Sequence, residues 1–205
     1  MTLQRPPRLG SIANLLGVAR IAATPVVMAL LLIGSPGTGL LAFAIFFLAA
    51  GTDFLDGRIA RARGEVSPFG VFMDLVADKV LVAGVLIVMV QIDLVPAWMA
   101  ATILVREFVV QSVRQLAATQ DVVISAGSLG KAKTLVTLAG LALLTLAADA
   151  ATGGPMSAFD SSTLRAVGFW TLVVATVLAV ISGLAYLRDA WPILVGSPPT
   201  RPTTE

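Results

Sequence analysis

Neither cysteine nor histidine occurs anywhere in the 205 residues. The first absence excludes disulfides, thiolate metal sites and cysteine nucleophiles. The second removes the commonest general base and metal ligand. Acid–base or metal chemistry must therefore rest on Asp, Glu, Lys, Arg, Tyr or water. Charge is scarce too: 13% of residues are Asp, Glu, Lys or Arg, where a soluble domain carries about 25%. The formal net charge of +2 is too small to point to a nucleic-acid partner. Apolar residues take the vacated share, at 57% of the chain with a mean hydropathy of +0.93. The solvent for most of this chain is lipid.

A transmembrane helix needs about 20 mostly apolar residues. Six stretches qualify, at roughly 12–33, 38–60, 70–90, 95–117, 130–150 and 164–188. Turn-forming punctuation separates them, as in Gly34-Ser35-Pro36-Gly37 and Thr152 to Pro155. Arg5 and Arg8 precede an apolar stretch that Arg20 interrupts, and no small-residue cleavage site follows cleanly. That stretch reads as a retained first span rather than a signal peptide. The expected fold is all-α and polytopic, with six transmembrane helices. Its parts are an N-terminal segment 1–11, one six-helix domain 12–188 and a tail 189–205. Pro198, Pro199 and Pro202 predict that the tail is disordered.

Basic residues set the orientation. Arg5, Arg8, Arg58, Arg61, Arg63, Arg114, Lys131, Lys133, Arg188 and Arg201 all fall on one side of a six-span topology. The opposite loops hold Asp93, Asp149 and Asp160, with Arg165 as their only basic residue. Both termini are expected in the cytoplasm, and the protein in the cell membrane.

Charges within spans are costly, at about 2.5–3.5 kcal/mol each near a helix centre on insertion scales, and usually face a polar cavity. Here they are Arg20, Asp53, Asp56, Asp74, Asp78, Lys79, Arg106 and Glu107. Asp53 and Asp56 are three apart and share a helix face, and Asp74 and Asp78, four apart, share another. The intervening loop centres near Glu65; Asp56 lies nine residues before it and Asp74 nine after, Asp53 twelve before and Asp78 thirteen after. In an antiparallel hairpin each pair reaches a similar depth, so all four carboxylates can converge in the cytoplasmic half of the membrane. Asp is too short to snorkel far. Such a cluster either takes up protons or binds divalent cations. Without Cys or His, Mg²⁺ or Mn²⁺ suits it better than Zn²⁺. A proton or divalent-cation transport path is the alternative from a different class. Gly57, Ala60 and Gly70 beside the carboxylates leave room for helix packing or for a flat ring, and Arg61 can pair with phosphate.

Asp53, Asp56, Gly57, Ala60 and Arg61, then eight residues, then Gly70, Asp74 and Asp78 resemble the signature of the CDP-alcohol phosphotransferases. That pattern is D-x-x-D-G-x-x-A-R, a spacer of about eight, and G-x-x-x-D-x-x-x-D; all eight fixed positions are present. The resemblance extends over 12–188 and implies a six-span fold with a cytoplasmic active site. It implies that Asp53, Asp56 and Asp74, with Asp78 near them, hold two divalent ions, Mg²⁺ or Mn²⁺. It implies that Gly57, Ala60, Arg61 and Gly70 accommodate the nucleotide of CDP-diacylglycerol, and that Asp78 is the catalytic base. Asn14, Arg20 and Pro25, then Arg106, Glu107 and Phe108, then Arg114, Gly130, Lys131 and Lys133 extend the likeness. They favour a phosphorylated polyol, sn-glycerol 3-phosphate, as acceptor, with Arg106, Arg114, Lys131 and Lys133 meeting its phosphate. Lys131 and Lys133 also fit positive-inside anchors, and Arg106 a partner for Glu107. Inositol phosphate, or phosphatidylglycerol, are the alternative acceptors. Family members are commonly homodimers.

Overall fold

The computed structural model describes the backbone of residues 12–63, 68–120, 122 and 127–195, and the side chains of 15–52, 72–73, 75–120, 122 and 127–195. Its regular elements are α1 (Ile12–Ile33), α2 (Thr38–Arg63), α3 (Pro68–Gln91), α4 (Ala97–Thr119), α5 (Ser128–Ala151), a short 3-10 turn (Pro155–Ala158) and α6 (Ser161–Leu194). No strand occurs among the described residues. The six helices match the six apolar stretches, and the largest difference lies at α6. It starts three residues before the expected span and runs six beyond it, because an apolar span ends where polar residues begin, whereas a helix ends only where its backbone bonding stops. Arg188 and Asp189 therefore lie on α6.

The turns that lead into α2, α4 and α6 have local causes. Gly34 and Gly37 take φ of 60° and 85°, a left-handed conformation that glycine adopts without steric cost. The Thr38 hydroxyl donates to the Ser35 carbonyl at 2.8 Å where α2 begins. Between α3 and α4, Asp93 takes φ 57°, and the amides of Leu94 and Val95 both donate to the Met89 carbonyl. Ahead of α6, the Asp160 carboxylate accepts from the Ser162 hydroxyl at 2.6 Å, and from the Thr163 hydroxyl at 2.6 Å and amide at 2.9 Å. These bonds, that from the Ser162 hydroxyl foremost, hold its pKa down from 3.8 to about 2.

The interior is mostly apolar, as with Val27, Phe46, Leu86, Met99, Leu141 and Leu172, but the surface is apolar too and the interior also holds charges. Phe47, Leu48, Leu135, Trp170 and Leu184 are each more than 60% exposed, while Arg20, Glu107, Lys133 and Asp149 are buried. Buried charges together with so many exposed large apolar side chains suit an exterior that faces lipid. Among the described residues, three helices are long and apolar enough to cross a membrane: Leu15–Ile33, Ser128–Ala151 and Ser161–Leu194. The protein is thus an all-helical chain of membrane character.

The chain divides into two compact units. One comprises residues 1–95 and 141–169, the other 96–140 and 170–205. In the first, α1 packs against both α2 and α3. Its buried positions Gly17, Arg20, Thr24, Val27 and Leu31 recur every three or four residues, which makes a single helical stripe.

Candidate active site

The α2–α3 hairpin carries the signature. Asp53, Asp56, Gly57, Ala60 and Arg61 fall in the last three turns of α2, and Gly70, Asp74 and Asp78 in the first half of α3. The helical backbone puts each aspartate pair on one face of its helix. The side chains of Asp53, Asp56, Ala60, Arg61 and Asp74, and the surroundings of Gly57 and Gly70, lie outside what is described, as does the side chain of Asn14. Asp78 is described. It is half-buried, and Lys79 Nζ lies 3.1 Å from its Oδ2.

α1 braces this hairpin from one side. Arg20, 2% exposed, donates from Nε to the Ala49 carbonyl at 3.0 Å and from Nη2 to Thr52 Oγ1 at 3.3 Å. Gly17 lies so near α3 that an added Cβ would stand 3.4 Å from Met73 Cβ. Farther along, the Cβ of an alanine at 84 would stand 2.5 Å from Thr24 Cγ2. The small residues on α1 and α3 thus permit close backbone approach.

Asp149 departs from its expected place in a loop on the side opposite the basic residues. It lies inside α5, fully buried, and its carboxylate accepts from the amides of Leu40 and Met156, each at 3.0 Å. It thereby caps free amides at the start of α2 and in the 3-10 turn. Arg165, at the start of α6, donates to the Asp93 carbonyl at 2.8 Å.

The second unit carries the cations. Arg106 Nη1 lies 3.0 Å from Glu107 Oε1, and Lys133 Nζ pairs with the same oxygen. Arg106 Nη2 donates to Ser182 Oγ at 3.0 Å, while its buried Nε has no hydrogen-bond partner among the described residues. Arg106 and Lys133 are therefore engaged by Glu107, and the triad keeps one net positive charge. Arg114 and Lys131 differ from them in being exposed. The Arg114 guanidinium stands 5.8 Å from the centre of the Tyr186 ring. Lys131 and Lys133 diverge because two residues on a helix are about 200° apart. A groove of about 410 Å³ runs between α4 and α6, lined by Val105, Arg106, Val109, Gly183 and Leu184 among others.

Sequence reasoning singled out Glu107 and Lys133 but not their pairing. It passed over Ser182 and Thr52 altogether, for a lone hydroxyl residue on an apolar helix carries no signal of its partner.

The donor set suits hard divalent cations: every candidate ligand is a carboxylate, in a chain without thiol or imidazole. Among the described residues no three acidic side chains stand together; of the four aspartates only Asp78 is in that set.

The sequence pattern of the CDP-alcohol phosphatidyltransferases matches residues 10–184. The chain belongs to that family and is a transferase. It is 34% identical over 199 residues to a CDP-diacylglycerol–glycerol-3-phosphate 3-phosphatidyltransferase of Bacillus subtilis, covering 90% of this chain and 97% of the relative. It is 34% identical over 181 residues to the enzyme of that name from Rickettsia bellii, covering 87% and 94%. A cardiolipin synthase (CMP-forming) of Oryza sativa is 33% identical over 204 residues, covering 93% of this chain and 60% of the relative.

Proposed function

We propose that this chain transfers the phosphatidyl group of CDP-diacylglycerol to sn-glycerol 3-phosphate, giving phosphatidylglycerophosphate and CMP. The observation that carries the reading is the complete signature on α2 and α3, in a chain that aligns along nearly the whole length of two relatives named for this reaction.

The acceptor hydroxyl attacks the phosphorus that bears diacylglycerol. The bond from that phosphorus to the bridging oxygen breaks, and CMP departs with the electron pair. Asp78 takes the hydroxyl proton as general base. Asp53, Asp56 and Asp74, with Asp78 beside them, are the residues to hold two divalent ions, Mg²⁺ or Mn²⁺. When bound, such ions neutralise the diphosphate and the charge that develops on the leaving CMP. Gly57, Ala60 and Gly70 leave space for the nucleotide, and Arg61 pairs with its phosphate. Arg114 and Lys131 are assigned to the acceptor phosphate, because each presents an exposed cation. Arg106 and Lys133, whose charge Glu107 shares, supply one further net positive charge to it.

We place the protein in the cell membrane with six spans, both termini and the active site at the cytoplasmic face, on the distribution of basic residues. We also propose a homodimer.

Purified protein in proteoliposomes, given labelled CDP-diacylglycerol, Mg²⁺ and a panel of acceptors, tests the reaction. The expected product by mass is phosphatidylglycerophosphate. Turnover with inositol phosphate or phosphatidylglycerol and none with glycerol 3-phosphate overturns the acceptor. Exhaustive EDTA treatment abolishes CMP release and Mg²⁺ or Mn²⁺ restores it; full activity in EDTA removes the metal from the mechanism. Ion flux without CMP release would instead identify a transporter.

A further inference from the structure

Arg20 is a buried charge that the proposed chemistry does not use. It belongs to the buried stripe of α1 and is 2% exposed. A guanidinium in apolar surroundings is costly to keep unless it is bonded on several sides. Its Nε and Nη2 reach the Ala49 carbonyl and Thr52 Oγ1, at 3.0 and 3.3 Å. The Thr52 hydroxyl in turn donates to the Ala49 carbonyl at 2.8 Å. These three bonds close a ring between α1 and the turn of α2 that leads directly into Asp53. Because the guanidinium is planar and donates in a fixed fork, it sets the orientation of that turn as well as its distance. One turn earlier on the same stripe, Gly17 packs against Met73, the residue before Asp74. α1 thus touches α2 immediately before one aspartate pair and α3 immediately before the other. A helix turns about 100° per residue, so a small rotation of either segment swings its pair off the shared face.

We infer that Arg20, with Thr52, is a positioning residue for the metal-binding carboxylates: it locks the rotation of α2 so that Asp53 and Asp56 present one face to the ions. The inference rests on the metal reading of those aspartates. Electrostatics alone predicts the opposite sign, since a nearby cation repels divalent ions. A substitution that keeps the charge therefore isolates the geometric role.

The test measures Mn²⁺ alone binding to the purified full-length protein in detergent, without CDP-lipid, by loss of the free-ion paramagnetic resonance signal. Arg20→Lys keeps the charge and loses the fork; Mn²⁺ binding should weaken about tenfold, the low end for groups that orient metal ligands. Thr52→Val opens the ring from the other side and should weaken it by a smaller factor than Arg20→Lys, while Thr52→Ser, which restores the hydroxyl, should bind as wild type. A role in packing alone would not separate Val from Ser in this order. If Arg20→Lys fails to fold, the Thr52 pair decides. Wild-type affinity in both Arg20→Lys and Thr52→Val overturns the inference. Wild-type protein that binds no Mn²⁺ overturns the metal reading on which it stands, a result distinct from equal binding by wild type and variants.

Discussion

Asp78 and Asp149 are the same residue type on apolar helices of the same unit, and their surroundings answer their charge differently. Asp149 is fully buried, and two backbone amides at 3.0 Å satisfy its carboxylate. Gly39 and Gly154 crowd it so closely that a Cβ on either would run into Asp149 itself. Nothing further can approach, and the carboxylate serves as a cap. Asp78 is half-buried, holds an ion pair to the neighbouring Lys79 and belongs to a hairpin with three more aspartates. Its charge is answered in part and left accessible. A carboxylate in a membrane helix is thus structural when fixed amides satisfy it, and open to chemistry when they do not.

Substitutions at the two positions should separate these roles. The largest effect is expected at Asp78. Asp78→Asn should lower CMP release about 10³-fold, within the range for loss of a general base, while CDP-lipid binding is retained. Near-normal turnover would remove Asp78 from its role. Asp149→Ala should do the reverse. Two buried amides lose a charged acceptor, so stability should fall by about 3 kcal/mol. Turnover per folded molecule should stay close to wild type, and a thermal melt beside an activity assay reads both. A stable but inactive Asp149→Ala protein would erase the distinction.

Smaller effects test the exposed cations. Arg114→Gln or Lys131→Gln should raise the apparent KM for glycerol 3-phosphate about fivefold, the weight of a screened contact near 1 kcal/mol, and leave that for the lipid donor unchanged. Loss of donor affinity instead would move these residues to the CDP-lipid side. The smallest effect belongs to Asp160, a third use of the same residue type, at the surface. Its pKa is lowered from 3.8 to about 2. The ionised form is thus favoured by folding, and its contribution is present above pH 3.8 and lost as the pH falls through about 2. Asp160→Asn should lower the Tm slightly at pH 7, with the difference closing near pH 2; a pH-independent difference would assign the effect to something other than charge.

The same contrast explains what the sequence made legible. Helices in lipid satisfy their own backbone, so six apolar stretches translate directly into six helices. The hairpin carboxylates were legible because their spacing is local and their cost in lipid is high. Asp149 was not: its partner Leu40 lies 109 residues earlier in the chain. A backbone amide is present at every non-proline residue and so marks none. The Ala49 carbonyl held by Arg20 is hidden for the same reason. Lys133 was readable as a cation but not as the partner of Glu107, because that pairing depends on how α5 packs against α4. Sequence reasoning grouped it with Lys131, which lies two residues away and so on another face of the helix.

α6 has 34 residues, which at 1.5 Å each extend about 51 Å. The hydrocarbon layer of a bilayer is about 30 Å thick. Roughly two-fifths of this helix therefore has to tilt or to stand in the headgroups and the water beyond. Its last turns are built for that zone: Arg188 and Asp189 form an exposed ion pair, and Trp191, 62% exposed, follows them. Tryptophan settles at the headgroup level, where its ring is apolar and its N–H wet. A helix with such a surplus is a sliding gauge. It can meet thin and thick bilayers by changing its tilt, without drawing a charged residue into the oil or lifting an apolar one out. An enzyme that makes phospholipid alters the very medium it spans, and this length lets the protein stay seated as that medium changes.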